Sequence, residues 1–373
     1  MYDDIRPYSN SEIPAAVARV AADPVFGTIV HYLFPEADIP QFRQEFLKIK
    51  TVQEFQERIM LKAIQSIIAK TSTGLTVEGF EELDCSSRYM FVSNHRDILL
   101  DAAILQVILN QYGHDTSEIT FGNNLMQGQF TIDIGKINKM FRIDRGGSLR
   151  NFYKKLLEIS QYMRFTIIDK RQSVWIAQRN GRTKNGNDKT DPALLKMFAT
   201  SSDKPFADNL VELNITPLAI SYEYEPCDFL KTQELYISQY QPYVKAPGED
   251  LHSIVQGITQ SKGRIHLVAT PTITAEEYAQ CDDMDKNRRF ANLTKLIDQR
   301  IYNGYKLWPT NYIAYDLIER KDRYADRYTD SDKKAFVEHM EHGLCLLEGD
   351  HEELQRIFLD IYANPILNVI DNH

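Results

Sequence analysis

The sequence predicts an α/β fold: a mixed, largely parallel sheet covered by helices, with helical N-terminal and C-terminal extensions. Three observations predict it. Short β-rich runs, LTVEGF, RYMFVSN, EITFG, SVWIAQ, ITPLAISY and RIHLVAT, are bounded by polar or glycine-containing segments. Longer helical patterns such as DAAILQVILNQY and SLRNFYKKLLEISQYM lie between them. Strands that alternate with helices call for parallel pairing, because a crossover helix returns the chain to the same edge. The regions before Gly74 and after about Glu276 carry helical texture alone.

Each element has a local reason. QEFQERIMLKAIQSIIAK, Gln53 to Lys70, places Phe55, Ile59, Ala63 and Ile67 at i, i+4 spacing beside Ile64 and Ile68. That stripe suits a packed helix, which TSTG, ending at Gly74, stops. RYMFVS is a strand that delivers Asn94 and His95 to its C-terminal end, the end at which α/β sheets hold ligands. Asp101 stands directly before AAILQVIL and is expected to cap that helix. Val174 to Ala177 reads as a buried strand that ends in Arg179-Asn180-Gly181-Arg182-Thr183-Lys184. The charged stretch Glu319 to Lys334 reads as a solvated helix face or loop. The expected organisation is a helical region over 1–74, an α/β domain over 75–275 and a helical extension packed on it over 276–373.

Composition narrows the function. The 373 residues are 43% hydrophobic, enough for a sizeable core. The formal charge of -9 argues against a nucleic-acid partner, which needs a basic face. The four cysteines, Cys85, Cys227, Cys281 and Cys345, are scattered without a CxxC pair or a Cys/His cluster, so no metal is expected and a reduced compartment fits. MYDDIRPYSNSE has neither the basic nor the apolar region of a secretory signal. No run approaches the ~18 apolar residues of a membrane span.

FVSNHRDILLDAAIL, Phe91 to Leu105, carries the chemistry. A histidine at the mouth of a strand, followed by Asp97 and Asp101, can take a proton from an alcohol if a carboxylate sets its tautomer. INKMFRIDRGGSLRNFY puts Arg142, Arg145 and Arg150 around the Gly146-Gly147 turn, and Arg182 and Lys184 form a second cationic cluster. Guanidinium groups bind phosphate bidentately, and adjacent glycines let backbone N–H groups approach an anion. Surface ion pairing is the bland alternative for either cluster.

In this order the segments resemble the glycerophospholipid acyltransferase family, whose signature is a histidine and an aspartate with four residues between them. Asn94-His95 with Asp101 is similar to its first motif, Phe141-Arg142-Ile143-Asp144-Arg145 to its second, Asn180-Gly181-Arg182-Thr183-Lys184 to its third in the glycerol-3-phosphate form, and Ile215-Thr216-Pro217-Leu218-Ala219 to its fourth. The resemblance covers roughly Gly74 to Tyr224, and its nearest subgroup is the bacterial 1-acylglycerol-3-phosphate acyltransferases. Three departures accompany it. His95 and Asp101 have five residues between them, and one insertion within a helix would turn the aspartate by ~100°. Asp97 is therefore a competing partner, although the helical run after Asp101 favours Asp101. Arg179 or Asn180 stands where the third motif often carries a glutamate, and Asn123 or Asn124 where many relatives carry a lysine.

The resemblance implies transfer of an acyl group from an acyl thioester, acyl-CoA or acyl carrier protein, to a hydroxyl of 1-acylglycerol-3-phosphate, with no cofactor. It implies His95 as general base oriented by Asp101. Asn94, Arg145, Gly181, Arg182 and Lys184 would bind substrate, and Pro217 would stand near the acyl pocket. Backbone N–H groups just after His95 are expected to stabilise the oxyanion. Its implied place is cytoplasmic, peripheral on the inner face of the membrane. Glycerol-3-phosphate and a lyso-aminolipid are alternative acceptors. A non-catalytic lipid- or acyl-carrier-binding protein is the alternative of another class, and a serine hydrolase lacks its G-x-S-x-G elbow.

Overall fold

The computed structural model describes residues 2–123, 125, 128–143, 149–282 and 285–370, with the backbone alone described at 149–152, 282, 286 and 287. A seven-stranded sheet organises it: β1 Ser72–Glu78, β2 Met90–Ser93, β3 Glu118–Gly122, β4 Met140–Ile143, β5 Val174–Ala177, β6 Ile215–Tyr222 and β7 Gly263–Ala269. The spatial order is β1-β7-β6-β2-β5-β3-β4. Every neighbouring pair is parallel except β6 with β7.

Each of the six β-rich runs read from the sequence contains a strand. The strand it did not single out is β4, four residues inside the second motif, where Phe141 is wholly buried and the charge of Arg142 broke the apolar run. β2 is buried along its whole length because sheet neighbours and helices cover it on both sides, as a central parallel strand requires. Pro217 sits inside interior strand β6, where a residue without an N–H normally costs a ladder bond. The β7 ladder begins only at the next residue, Leu218, and the Pro217 carbonyl accepts from Thr270 N at 3.0 Å.

The helix expected over Gln53 to Lys70 forms, with a π-helical turn, Gln56–Met60, set into it. It ends at Thr71, and the chain passes directly into β1, so TSTG is mostly strand. Helix Leu100–Gln111 is buried along nearly its whole length between that helix and the sheet. The N-terminal helices bury Ile13, Val17, Val20 and Phe26 against one another and against Ile137. They are tied down where buried Asp133 accepts from Arg19 at 2.7 Å and from the Tyr8 hydroxyl at 2.8 Å. No single described helix is long and apolar enough to cross a membrane.

The C-terminal helices join the core. Helix Lys286–Asn303 inserts Phe290, Leu293, Ile297 and Ile301 beneath β2, β5 and β6. At ~1.5–3 kcal/mol for each large apolar side chain removed from water, this helix is part of the sheet's own core. Helix His351–Ile370 packs against helices Pro309–Glu319 and Asp228–Tyr240 around Phe336, Phe358 and Tyr362.

Candidate active site

Parallel pairing of β2, β5, β3 and β4 sends their C-terminal ends to one edge, and a cleft of about 800 Å³ opens there. His95 follows β2, Asn123 follows β3 and Arg179 follows β5, and all three line the cleft. Its apolar lining comes from Ile98, Leu99, Phe121, Leu125, Met140 and Trp175. Its polar and cationic lining comes from Arg179, Asn180, Arg182, Lys184 and Lys245.

Asp101 partners His95. The His95 Nδ1 lies 2.8 Å from Asp101 Oδ2. The same oxygen accepts the Arg96 N–H at 2.6 Å and the Asp97 N–H at 2.9 Å, while Oδ1 accepts the Tyr222 hydroxyl at 2.8 Å. A carboxylate has no hydrogen to give, so Nδ1 carries the proton, and in the neutral imidazole Nε2 is the nitrogen with the lone pair. Nε2 makes no hydrogen bond to any described residue. Burial, with Asp101 beside it, raises the Tyr222 phenol well above its ordinary value, so it remains a donor. Trp175 meets the imidazole edge-on with ring centroids 5.5 Å apart, and its indole N–H donates to Ser93 at 3.0 Å.

The fifth intervening residue is absorbed before the helix. Residues 94–99 are loop and turn, and the helix starts at Leu100, so no helical rotation separates His95 from Asp101. The expectation that Asp101 caps this helix is corrected. Asp101 lies inside the first turn, and Asp97 Oδ1 takes the Leu99 and Leu100 N–H groups at 2.8 and 2.7 Å. Burial, then repulsion from Asp101, pushes the Asp97 carboxyl up. Of the backbone N–H groups expected to serve the oxyanion, that of Ile98, in the cleft wall, is not taken by either aspartate. The N–H groups of Arg96, Asp97, Leu99 and Leu100 are already taken by these two carboxylates.

The other expected residues divide. Arg182 is half-buried in the cleft wall, with Nη1 buried and without a hydrogen-bond partner. Gly181 also lines the cleft, at a left-handed φ of +71° with open space around it. Lys184 lines the cleft as well, but it is ion-paired with Glu234. Asn94, expected as a substrate contact, is not among the residues that line the cleft. It is wholly buried, its Oδ1 accepts the Ile220 N–H at 2.8 Å, and its Nδ2 donates to Ile220 O at 3.0 Å and to Asp188 at 3.1 Å. Asn94 thereby clips β6 to the end of β2. Pro217 is not part of the cleft wall, which β5, β3 and β4 supply on the other side of β2. Arg145, with Asp144 and the Gly146-Gly147 turn, lies outside the described residues, as does Asn124.

Sequence reading missed what holds the loop between β5 and Thr190. Arg96 is 4% exposed and reaches Asp188 at 2.7 Å, Glu225 at 3.3 Å and the Gly186 carbonyl at 3.3 Å. Lys231 is 1% exposed and bonds Glu225 at 2.6 Å and the Arg96 carbonyl at 2.8 Å. Burial opposes the Arg96 charge, yet Asp188 and Glu225 outweigh it and raise its pKa well above the ordinary value. Tyr305 donates to Asp188 at 2.5 Å. The Thr183 N–H donates to the His95 carbonyl at 2.8 Å, which ties the third-motif loop to the first motif. From the C-terminal helices, Asn364 donates to the Asn185 carbonyl at 2.6 Å. The available signal was the charge itself: a cationic residue placed directly after the histidine of a buried strand needs buried anions.

Asp298 fastens the far end of the loop by accepting from Thr190 N at 2.8 Å and Thr190 Oγ1 at 2.6 Å. Burial pushes its carboxyl from 3.8 up to about 6, against the pull of the Thr190 donors. A carboxyl whose folded pKa exceeds its unfolded value favours the folded state when protonated. The stability linked to it is complete below about 4 and is lost as pH rises through about 6. Asp298→Asn keeps an acceptor for Thr190 and removes the charge. Its urea midpoint is expected to exceed that of the parent near neutral pH, by up to about 2–3 kcal/mol in stability. The advantage should shrink toward zero as the titration reaches about pH 4. An advantage independent of pH would exclude Asp298 as the source.

No family model matches the sequence, and no curated protein matches it. Among solved structures, the chain is similar to the crystal structure of the 1-acyl-sn-glycerophosphate acyltransferase PlsC from Thermotoga maritima. The identity is 12% and the TM-score 0.37, over 79% of this chain and 95% of that one. A likeness of that size carries no statement about substrate or chemistry.

Proposed function

We propose that the chain is an O-acyltransferase that moves a fatty acyl group from an acyl thioester to a hydroxyl of a phosphate-bearing glycerolipid, 1-acylglycerol-3-phosphate in the first instance. One observation carries the reading. His95, backed by Asp101, lines a single cleft whose wall also holds a set of apolar side chains and a set of cationic ones. An acyl chain suits the apolar residues, a phosphate the cationic ones, and His95 stands in the same wall.

The roles follow from the geometry. His95 Nε2 removes the proton of the acceptor hydroxyl as its oxygen attacks the thioester carbonyl carbon. The C–S bond then breaks, the imidazolium returns its proton to the departing thiolate, and no covalent acyl-enzyme forms. Asp101 holds the tautomer and steadies the imidazolium. Arg182, with a buried Nη1 that lacks a partner, is the cation best placed to seat the phosphate and so fix the hydroxyl. Arg145 and Lys184 are proposed beside it. The donor is acyl-CoA or acyl carrier protein, with no further cofactor. Both substrates are amphipathic, so the enzyme is proposed to work as a cytoplasmic protein at the inner membrane surface.

The test is acceptor-dependent thiol release from acyl-CoA and acyl carrier protein, with lysophosphatidate, glycerol-3-phosphate and a lyso-aminolipid as acceptors. Arg182→Ala is expected to raise the KM of a phosphate-bearing acceptor by about 10–100-fold, the value of one charge-assisted hydrogen-bonded contact. Its kcat should fall far less. Absence of acceptor-dependent release across the panel would overturn the proposal.

A further inference from the structure

We propose that Lys245, on a helical hairpin that lines the cleft, is a further phosphate-binding residue, and that Asp250 holds its place until a phosphate arrives. The inference rests on the acyl-transfer reading only for the identity of the phosphate compounds.

Helices Asp228–Tyr240 and Glu249–Thr259 are joined by residues 241–248, which form no regular element. This hairpin lies outside every motif that the sequence analysis singled out, yet it supplies Leu235, Lys245 and Asp250 to the same cleft as His95. Its turn is shaped by Gly248 at φ +82°, and the Ala246 N–H donates to Glu249 at 2.9 Å. Lys245 therefore reaches the cleft from a built turn.

The charges are arranged in pairs. Lys184 is ion-paired with Glu234 on the first helix of the hairpin, and Lys245 with Asp250 on the second. Each of the two lysines thus already faces an acid from the same hairpin. The Lys245 side chain is 41% exposed and that of Asp250 20%, so water competes for both. Such a solvent-competed pair is weak, and a better anion displaces the carboxylate. A phosphate carries more charge and more acceptor oxygens than the carboxylate it replaces. Arg182, whose Nη1 is buried without a partner, lines the same cleft. The hairpin acids act as stand-in anions. They neutralise the two lysines in the absence of phosphate, and they disfavour weak anions that cannot outcompete them.

Two compounds bring phosphate to this cleft: the acceptor, through its glycerol phosphate, and coenzyme A, through its nucleotide phosphates. The experiment separates them. Calorimetric titration of the full chain with glycerol-3-phosphate, coenzyme A and phosphate-free pantetheine is run for the parent, Lys245→Ala, Lys245→Arg and Asp250→Asn. In parallel, KM and kcat are measured with acyl-CoA and acyl-pantetheine as donors. Lys245→Ala is expected to weaken one phosphate compound by about three- to ten-fold, mostly in KM, and to leave pantetheine unaffected. Lys245→Arg should restore most of the affinity, and Asp250→Asn should tighten binding of the same compound. The compound affected names the source. If Lys245→Ala binds both phosphate compounds like the parent, the proposal is overturned, even with acyl transfer intact. It is equally overturned if the parent binds neither. Loss of phosphate affinity in Lys245→Ala without turnover by any variant would support the site and sink the acyl-transfer reading.

Discussion

His95→Ala is expected to lower kcat by about 10²–10⁴-fold, the value of a positioned general base, while the protein stays folded. The two halves of this result have separate causes. Catalysis is lost because no other described side chain at that point of the cleft combines a free lone pair with a buried carboxylate behind it. The fold persists because Asp101 keeps three of its donors, the N–H groups of Arg96 and Asp97 and the Tyr222 hydroxyl. Asp101→Asn is a different experiment. It leaves one acceptor oxygen where two serve four buried or half-buried donors and removes the charge behind His95, so stability and activity should fall together. Thiol release and thermal unfolding on the same samples check both. Near-parental turnover in His95→Ala would eliminate the mechanism.

Gly186→Ala is expected to destabilise the chain by about 3 kcal/mol or more and to take most of the activity with it, whereas Gly181→Ala should cost only about 1 kcal/mol. Both glycines lie in the third-motif loop at positive φ, +76° and +71°. Left-handed strain is therefore common to the two. The surroundings differ. A Cβ on Gly186 would stand 2.1 Å from the Ile361 carbonyl oxygen, which belongs to the backbone of helix His351–Ile370 and has no rotamer to change. A Cβ on Gly181 would meet nothing within 4 Å. In the Gly186 variant the loop must lift from the helix, and with it go the Gly186 carbonyl that Arg96 holds and the Thr183 contact to His95. Chemical denaturation of the two variants side by side measures the difference. Equal costs would mean that the C-terminal helix does not brace the loop.

The charged stretch read as solvated, Glu319 to Lys334, is mostly exposed loop and helix start. Strand and helix identity was legible because it depends on the near-neighbour spacing of apolar residues. β4 escaped because a strand of four residues, one of them arginine, does not alternate long enough to be seen. The site residues sorted by a similar rule. His95, Arg182 and Gly181 were recognisable as residue types at strand ends, and all three face the cleft. Asn94 carries the same kind of local signal but points into the sheet, where one side chain serves both backbone groups of Ile220.

The sequence by itself determined that the chain alternates strand and helix, that parallel strand ends converge, and that His95 emerges at such an end. Local propensity and the geometry of parallel pairing suffice for all of these. Only the tertiary structure decided which aspartate serves the histidine. Both stand in the same short turn, and the choice depends on how that turn closes and on Tyr222, 121 residues beyond Asp101. Only tertiary structure, too, gave Arg96 its partners Asp188 and Glu225, 92 and 129 residues away, and brought Lys245 to a cleft built by other strands. A buried charge is tolerable only beside its counter-charge, and where that counter-charge arrives is settled by packing over the whole chain.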